Sequence, residues 1–140
     1  MTTNLSFPLI STKRNMDINS PEEFMRTYEK AANSRNFNKV APLLSDNAIF
    51  WFSDGSYAGI ESIKLAFEKT WSRIMDEEYS IMHLKWLING LDCAVCLYEF
   101  VSKGTVDGKV SEVRGRGTNV LKRMDNKWTI IHEHLSIERQ

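Results

Sequence analysis

The chain contains 140 residues, of which 42% are hydrophobic and 26% are charged, and its 18 basic and 18 acidic side chains give a formal net charge of zero. A chain of this length and balance forms one globular domain with a single substantial core. Because no net charge steers the protein toward nucleic acid or an anionic membrane, we expect neither as a partner. No apolar run approaches the roughly 18 residues that a membrane-spanning segment requires.

The first 19 residues are predicted to form a flexible, polar leader ahead of one domain over residues 20–140. The apolar stretch in this leader, Phe7–Ile10, is too short for the core of a signal peptide, and Lys13 and Arg14 follow it rather than precede it. We therefore expect a cytoplasmic protein.

Three helices are predicted in the first half of the domain. Ser20 can cap the first helix, Pro21 suits its first position and Glu23 completes a capping box. A second, short helix is predicted around residues 37–44, and a third follows Gly59 because apolar residues recur there at helical spacing. The apolar residues of this third helix are Ile60, Ile63, Phe67, Trp71 and Ile74.

A sheet is predicted from a short strand over residues 48–52 and from a change to strand patterning at residue 78. The four long predicted strands are 78–89, 92–103, 110–123 and 127–138. Turn residues separate these strands at Asn89-Gly90, Gly104–Gly108 and Asp125-Asn126. Short connections favour an antiparallel meander, so we predict an α+β fold in which a cone-like, curved antiparallel sheet wraps around N-terminal helices.

Several predicted strands are apolar on both faces. In the segment 92–103, one face carries Ala94, Cys96, Tyr98 and Phe100, and the other carries Val95, Leu97 and Val101. The helices can cover only one of these faces. A second copy of the chain is the simplest cover for the other, so we predict a homodimer through the convex face.

The two cysteines, Cys93 and Cys96, have the spacing of a redox or metal motif, but they lie in a predicted strand, where positions i and i+3 point to opposite faces. A redox pair usually needs a helix N-terminus to activate its thiol. We therefore predict two buried, free thiols.

Two regions carry a family resemblance. Gly59–Glu61 with Phe67–Arg73, and the ending Asp125–Trp128 with His132–Ser136, are similar to the association (hub) domain of calcium/calmodulin-dependent kinase II. The same ending, with Gly115–Thr118 before it, resembles bacterial SnoaL-like proteins. Both groups belong to the nuclear transport factor 2-like superfamily, which includes ketosteroid isomerase, scytalone dehydratase and polyketide cyclases. The resemblance implies a cone-shaped, cystatin-like domain, usually dimeric, with a pocket between the sheet and the helices.

The functional residues of these relatives carry over only in part. The resemblance places the oxyanion-stabilising tyrosine of ketosteroid isomerase at Tyr28, but its general-base aspartate falls on Phe52 and its second acid falls near Asn119. Proton transfer of that type therefore lacks its base. The pocket arginines of the hub domain fall on Phe100, Asn119 and Leu135, so recognition of a carboxylate by them is not expected.

Strand alternation divides the polar residues of the last two strands into two sets. A three-residue hairpin loop with a bulge would pair position 119 with 131 and position 117 with 133. That register predicts a concave set of Gly115, Gly117, Asn119, Glu133 and Leu135, with His132 and His134 on the other face. The two glycines would either open space for a ligand or allow the sheet to bend.

Glu133 is the best acid/base candidate, because burial in an apolar cavity raises the pKa of a carboxyl group. The alternative is a structural role, in which Glu133 forms a hydrogen bond with a pocket neighbour such as Tyr28.

Two other patterns suggest sites that we do not expect. His132 and His134 could present both imidazoles to a metal, with His83 as a third ligand, but strand histidines are more often structural or paired with an acid. The run Arg114–Gly117 resembles a nucleic-acid-binding segment, but such sites need a wider basic surface with stacking aromatic residues. We predict no metal site and no nucleic-acid partner.

The leading hypothesis is a small-molecule-binding protein of SnoaL-like type, with a mainly apolar pocket and no cofactor. The predicted ligand-binding residues are Tyr28, Phe52, Trp71, Tyr98, Phe100, Asn119, Glu133 and Leu135. One alternative is a cofactor-independent isomerase, dehydratase or cyclase, with Glu133 as the acid/base and with Tyr28 and Asn119 orienting the substrate. Another is a structural, hub-like oligomerisation module.

Overall fold

A computed structural model describes residues 20–138, and the predicted leader over residues 1–19 lies outside them. The helices are α1 (Pro21–Ala32), α2 (Phe37–Val40, followed by a 3-10 turn at Ala41–Leu43) and α3 (Ile60–Arg73). The strands are β1 (Leu44–Phe52), β2 (Gly55–Ala58), β3 (Met75–Asn89), β4 (Cys93–Val106), β5 (Lys109–Met124) and β6 (Lys127–Ile137). Within this described part of the chain, no helix is long and apolar enough to cross a membrane.

All six strands form one curved sheet, in the order β2-β1-β6-β5-β4-β3. Neighbouring strands are antiparallel except β1 and β6, which pair in parallel. The helices lie against the concave face, where Phe24, Phe50 and Ile130 belong to one buried core. The predicted α+β architecture is confirmed, and the four long strands begin and end within three residues of their predicted bounds.

Helix α1 begins where the sequence predicts. Ser20 Oγ accepts a hydrogen bond from Glu23 N over 3.0 Å, which satisfies one of the free N–H groups of the first turn. A cap of this kind stabilises a helix by about 1 kcal/mol. The buried face of α1 carries Phe24, Met25 and Tyr28, so the start of the helix fixes the position of Tyr28 over the sheet.

Side chains of α1 also form hydrogen bonds with the outer edge of β3. Asn33 Nδ2 donates to Tyr79 O, and Tyr79 N donates to Asn33 Oδ1, each over 2.8 Å. Arg26 Nη1 donates to Ile81 O over 2.7 Å, and Ile81 N donates to Glu29 Oε2 over 2.6 Å. Because β3 is the last strand of the sheet, these bonds satisfy backbone groups that no further strand reaches. They also fix the backbone of Tyr79 beside the C-terminal end of α1.

The turn between β5 and β6 differs from the predicted three-residue loop. Asp125 and Asn126 both have positive φ, and they form a two-residue turn between the paired residues Met124 and Lys127. Two consecutive residues with positive φ are typical of a type I′ hairpin turn, whose twist matches that of the strands. The loop length predicted from the sequence was therefore wrong.

The register of the same hairpin shifts at a bulge in β6. Ile131 is the extra residue, and beyond it Asn119 pairs with Glu133 and Gly117 with Leu135. The predicted pairs, 119 with 131 and 117 with 133, are wrong by two residues. Since a shift of two residues leaves every side chain on its own face, the predicted concave set still points inward.

The prediction of two buried cysteines is wrong for one of them. Cys96 is buried on the inner face of β4, whereas Cys93 is exposed. Cys93 is the first residue of its strand and lies on the outer face of β4, opposite the buried face that carries Ala94 and Cys96, where it pairs with the exposed Lys122. Both thiols are free, as predicted.

Candidate functional site

A cavity of about 460 Å³ lies between α1, α3 and the concave face of the sheet. Most of its wall is apolar, with aromatic rings from both the helical and the sheet side. These rings belong to Tyr28, Phe52, Tyr57, Phe67, Trp71, Tyr79 and Phe100. Cavities of this size with a mainly apolar lining are typical of binding sites for small organic molecules.

Glu133 is the ionisable group at the base of the cavity. It extends from β6 into the lining, and only 1% of its surface is exposed. Asn119 Nδ2, on the neighbouring strand, donates to Glu133 Oε1 over 3.2 Å. Tyr28 from α1 and Tyr98 from β4 also form hydrogen bonds with this carboxyl group.

Burial raises the pKa of Glu133 from its ordinary value of 4.5 to about 7, because the charged form loses its water. The hydrogen bonds from Tyr28, Asn119 and Tyr98 favour the charged form and oppose this rise. A carboxyl group with such a pKa is present in both protonation states near neutral pH, so it can either give or accept a proton.

Tyr98 and Asn119 lie behind Glu133 and form a chain of hydrogen bonds that leads to its carboxyl group. Tyr98 Oη donates to Asn119 Oδ1 over 2.7 Å, which orients the Asn119 amide so that its nitrogen faces Glu133. The Tyr98 hydroxyl has a single proton, so it serves either Asn119 or Glu133 at one time. Burial, followed by the nearby charge of Glu133, raises the pKa of Tyr28, Tyr79 and Tyr98 well above 10.0, which keeps all three hydroxyls protonated.

The two glycines of β5 make room for aromatic rings of β4 rather than for a ligand. Gly117 pairs with Tyr98, and a Cβ atom at Gly117 would lie 2.3 Å from the Tyr98 ring. Gly115 pairs with Phe100, and a Cβ atom there would lie 2.5 Å from the Phe100 ring. The rings therefore lie across the glycines, and this packing places the Tyr98 hydroxyl beside Asn119.

Two basic and two acidic side chains lie at the mouth of the cavity. Lys69 Nζ lies 3.2 Å from Asp54 Oδ2, and Tyr57 Oη donates to Asp54 Oδ1 over 2.9 Å. The hydrogen bond from Tyr57, followed by Lys69, lowers the pKa of Asp54, which is therefore ionised at neutral pH. Arg73 and Glu77 also line the mouth, so its formal charges cancel.

Of the eight predicted ligand-binding residues, six line the cavity: Tyr28, Phe52, Trp71, Phe100, Glu133 and Leu135. Tyr98 and Asn119 do not line it, and lie behind Glu133 as its hydrogen-bond partners. Sequence reasoning missed Tyr79, although it shares one strand face with the buried Ile81. That alternation in β3 was the available signal.

The histidines lie away from the cavity. His132 and His134 are on the outer face, with the Trp51 ring packed edge-on against both, at centroid distances of 5.2 and 5.6 Å. His83 is on β3 and lies 3.2 Å from Glu99. Among residues 20–138, no group of three or more His, Cys, Asp or Glu side chains is arranged to hold a metal ion.

The arginines of β5 are interspersed with acidic residues on the outer face. Arg114 Nε lies 3.0 Å from Glu112 Oε2, and Arg116 pairs across the sheet with Glu99. Arg114 and Arg116 therefore each have an acidic neighbour, unlike the arginines of a continuous basic surface that binds nucleic acid.

The fold and cavity define a nuclear transport factor 2-like domain, and comparisons with known proteins agree. The SnoaL-like domain model matches residues 22–140, so the chain belongs to the SnoaL-like domain family. No curated protein matches the sequence.

Solved structures show the same fold. A protein from Xanthomonas campestris, described as a calcium/calmodulin-dependent protein kinase II association domain, is 26% identical with a TM-score of 0.75, covering 85% of this chain and 86% of the other. A nuclear transport factor 2-like superfamily protein from Salmonella enterica is 17% identical with a TM-score of 0.76, covering 84% and 88%. A hexachlorocyclohexane dehydrochlorinase is 15% identical with a TM-score of 0.76, covering 86% and 84%.

Proposed function

We propose that the protein binds a small, largely apolar organic molecule in the cavity, with Glu133 as its polar anchor. The observation that supports this most strongly is a cavity of about 460 Å³ whose apolar walls enclose one buried carboxyl group. A few polar groups within an apolar lining fix the orientation of a ligand, while the lining supplies most of the affinity. SnoaL-like family membership is consistent with this proposal.

A thermal-shift screen with small alcohols, ketones, amines and acids tests the proposal. A ligand that binds only the folded protein at 100 times its Kd adds about 2.7 kcal/mol to the free energy of unfolding, so hits raise the Tm. In Leu135→Trp, the indole enters the cavity and we expect the Tm rise to disappear. The control is Leu65→Trp on the exposed side of α3, which should respond like the wild type.

Loss of the response in Leu65→Trp, or an unchanged response in Leu135→Trp, would place binding elsewhere. If no compound in the panel stabilises the wild type, the binding proposal fails and a structural, hub-like role becomes the better explanation.

Proton transfer by Glu133 is a second candidate function. The observation that favours it is that the Glu133 carboxyl group lines the cavity and has a pKa of about 7, near the optimum for a group that must both accept and return a proton. Tyr28 lines the same cavity and could donate a hydrogen bond to a ligand oxygen that gains negative charge.

Hydrogen exchange in a bound ligand tests this second function. For a screening hit with an acidic C–H bond, incubation in D₂O should incorporate deuterium with wild-type protein, as followed by NMR. Glu133→Gln should retain the Tm rise but lose the exchange. Equal exchange rates in both proteins would exclude Glu133 as the base.

We also propose that two copies of the chain associate through the outer face of the sheet. One cross-strand row on that face, Ile49–His132–Val120–Val95–Ile88, crosses five strands and is apolar at four of its five positions. Light scattering at micromolar concentration should give a dimer mass for the wild type and a monomer mass for Val120→Glu. A monomer mass for the wild type contradicts the proposal.

A further inference from the structure

Glu133 is a buried acid whose described partners are all uncharged. The groups that act on its pKa are its own burial and hydrogen bonds from Tyr28, Asn119 and Tyr98, with no contribution from Lys or Arg. Hydrogen bonds from hydroxyl and amide groups stabilise a carboxylate without neutralising it. The ionised form therefore leaves one uncompensated negative charge at the base of the cavity.

The mouth of the cavity does not supply that missing positive charge. Lys69 is engaged with Asp54 over 3.2 Å, and the formal charges of the two other charged residues at the mouth, Arg73 and Glu77, cancel. With Glu133 ionised, the lining carries a formal charge of one negative unit. This charge complements a ligand with a single positive charge.

The walls of the cavity also suit a cation. Phe67 and Trp71 of α3 and Tyr79 and Phe100 of the sheet line the space above Glu133. The rings of Phe67 and Trp71 pack at 5.5 Å and those of Tyr79 and Phe100 at 5.8 Å, so each side presents an aromatic pair. Aromatic rings attract ammonium groups through their negative faces, and the attraction strengthens where water is excluded.

From this geometry we propose that the ligand of the cavity is an organic amine, whose ammonium group pairs with the Glu133 carboxylate and whose apolar body packs against the aromatic walls. The inference rests on the proposed binding function and names its ligand class. A ketone or alcohol of the same size would leave the carboxylate without a counter-charge.

The amine should bind more tightly as the pH rises, because its partner is the ionised form of Glu133. The other groups that face Glu133 are Tyr28 on α1, Tyr79 on β3, and Tyr98 and Cys96 on β4, and burial raises the pKa of each of them. They stay protonated through the neutral range, and Asn119 on β5 does not titrate. At the mouth, the hydrogen bond from Tyr57 lowers the pKa of Asp54, so that carboxyl group is already ionised through the neutral range.

The size of this effect follows from the pKa of Glu133, about 7 in the free protein. Between about pH 6 and pH 8 the ionised fraction of Glu133 rises about tenfold, so the Kd of a permanently protonated amine should fall about tenfold. At pH 6 and below, each binding event should also release close to one proton, because Glu133 is then mostly protonated in the free protein.

Isothermal titration of the full chain with benzylamine and benzyl alcohol, which have the same aromatic body, tests the inference. For the wild type we expect benzylamine to bind at least tenfold more tightly than benzyl alcohol at pH 8, and about tenfold more tightly at pH 8 than at pH 6. Binding heats at pH 6 in two buffers of different ionisation enthalpy should report the released proton. Benzyl alcohol should bind independently of pH.

Glu133→Gln supplies the matched control, because the amide keeps the shape of the side chain and removes the charge. We expect this variant to bind both compounds alike and without pH dependence. Equal or tighter binding of benzyl alcohol to the wild type would overturn the amine inference whether or not the variant folds, as would an amine preference that persists in Glu133→Gln. In either case, an uncharged compound that raises the Tm of the wild type but not that of Leu135→Trp would still support the broader binding function.

Discussion

The buried state of Glu133 predicts a specific dependence of stability on pH. In the folded protein its pKa is raised from 4.5 to about 7, so folding favours the protonated form. The stability that this group contributes is fully present below about pH 4.5 and is lost as the pH rises through 7. At higher pH the protein must bury a carboxylate that the unfolded chain would expose to water.

The magnitude follows from the two pKa values. A shift of about 2.5 pKa units corresponds to about 3.4 kcal/mol when both titrations are complete. Between about pH 5 and pH 8, the free energy of unfolding of the wild type should fall by about 2.5 kcal/mol relative to that of Glu133→Gln, which has no proton to lose. Other titrating groups are common to both proteins and cancel in the difference.

Urea unfolding at several pH values, followed by tryptophan fluorescence, measures this difference. We expect the curves of the two proteins to diverge between about pH 5 and pH 7 and to run parallel above pH 8. A difference that stays constant across this range would show that Glu133 has the same pKa in the folded and unfolded states, contrary to this prediction. A difference that grows in favour of the wild type would show that its pKa is lowered rather than raised.

Three further predictions concern the packing around the site and the ends of the elements. Gly117→Ala should lower the free energy of unfolding by about 1–3 kcal/mol in urea titrations, because its methyl group overlaps the Tyr98 ring; an unchanged midpoint would contradict the close packing. In the native protein one thiol, that of Cys93, should react with Ellman's reagent, while Cys96, whose pKa burial raises to about 12, should react only after unfolding; two fast thiols would contradict the burial of β4. Ser20→Ala should cost about 1 kcal/mol of stability by removing the cap of α1, and Ser20→Asp should restore most of it; a neutral Ser20→Ala would show that the cap adds no stability.

The elements of this fold were predictable because each has a strong local signal. The cap at Ser20, the apolar stripe of α3 and the turn residues between the long strands indicated where helices and strands begin and end. These signals depend on neighbours within a few residues, which a single sequence contains in full.

Two errors in the predicted β5–β6 hairpin cancel at the base of the cavity. The loop has two residues rather than three, and β6 has a bulge at Ile131 that the sequence did not predict. With the observed two-residue turn and no bulge, Asn119 would lie opposite His132, and the histidine pair would line the cavity. Because the bulge adds one residue at Ile131, Asn119 pairs with Glu133 instead of His132, and the Glu133 side chain points into the cavity. Nothing in the local sequence of β6 marks this bulge, because it depends on how the strand fits its neighbours on both sides.

The positions that the sequence misplaced depend on contacts between distant parts of the chain. Cys93 is exposed because it lies on the outer face of β4, opposite Cys96, and the place of Tyr79 follows from hydrogen bonds between α1 and the edge of β3. Tyr98 and Asn119 were expected to touch a ligand. They lie instead behind Glu133, where the hydrogen bond from Tyr98 orients the Asn119 amide so that it donates to the carboxyl group.

An NMR titration of the Glu133 carboxyl carbon in protein labelled with ¹³C-glutamate, with Glu133→Gln used to assign the signal, measures directly whether this buried acid titrates near neutral pH and contacts the ligand. We predict an apparent pKa of about 7 in the free protein, and a displaced resonance when a ligand that raises the Tm is added. Leu135→Trp should abolish that displacement. A Glu133 signal that titrates near 4.5 and is unmoved by every ligand that stabilises the protein would show that Glu133 is neither a perturbed acid nor part of a binding site.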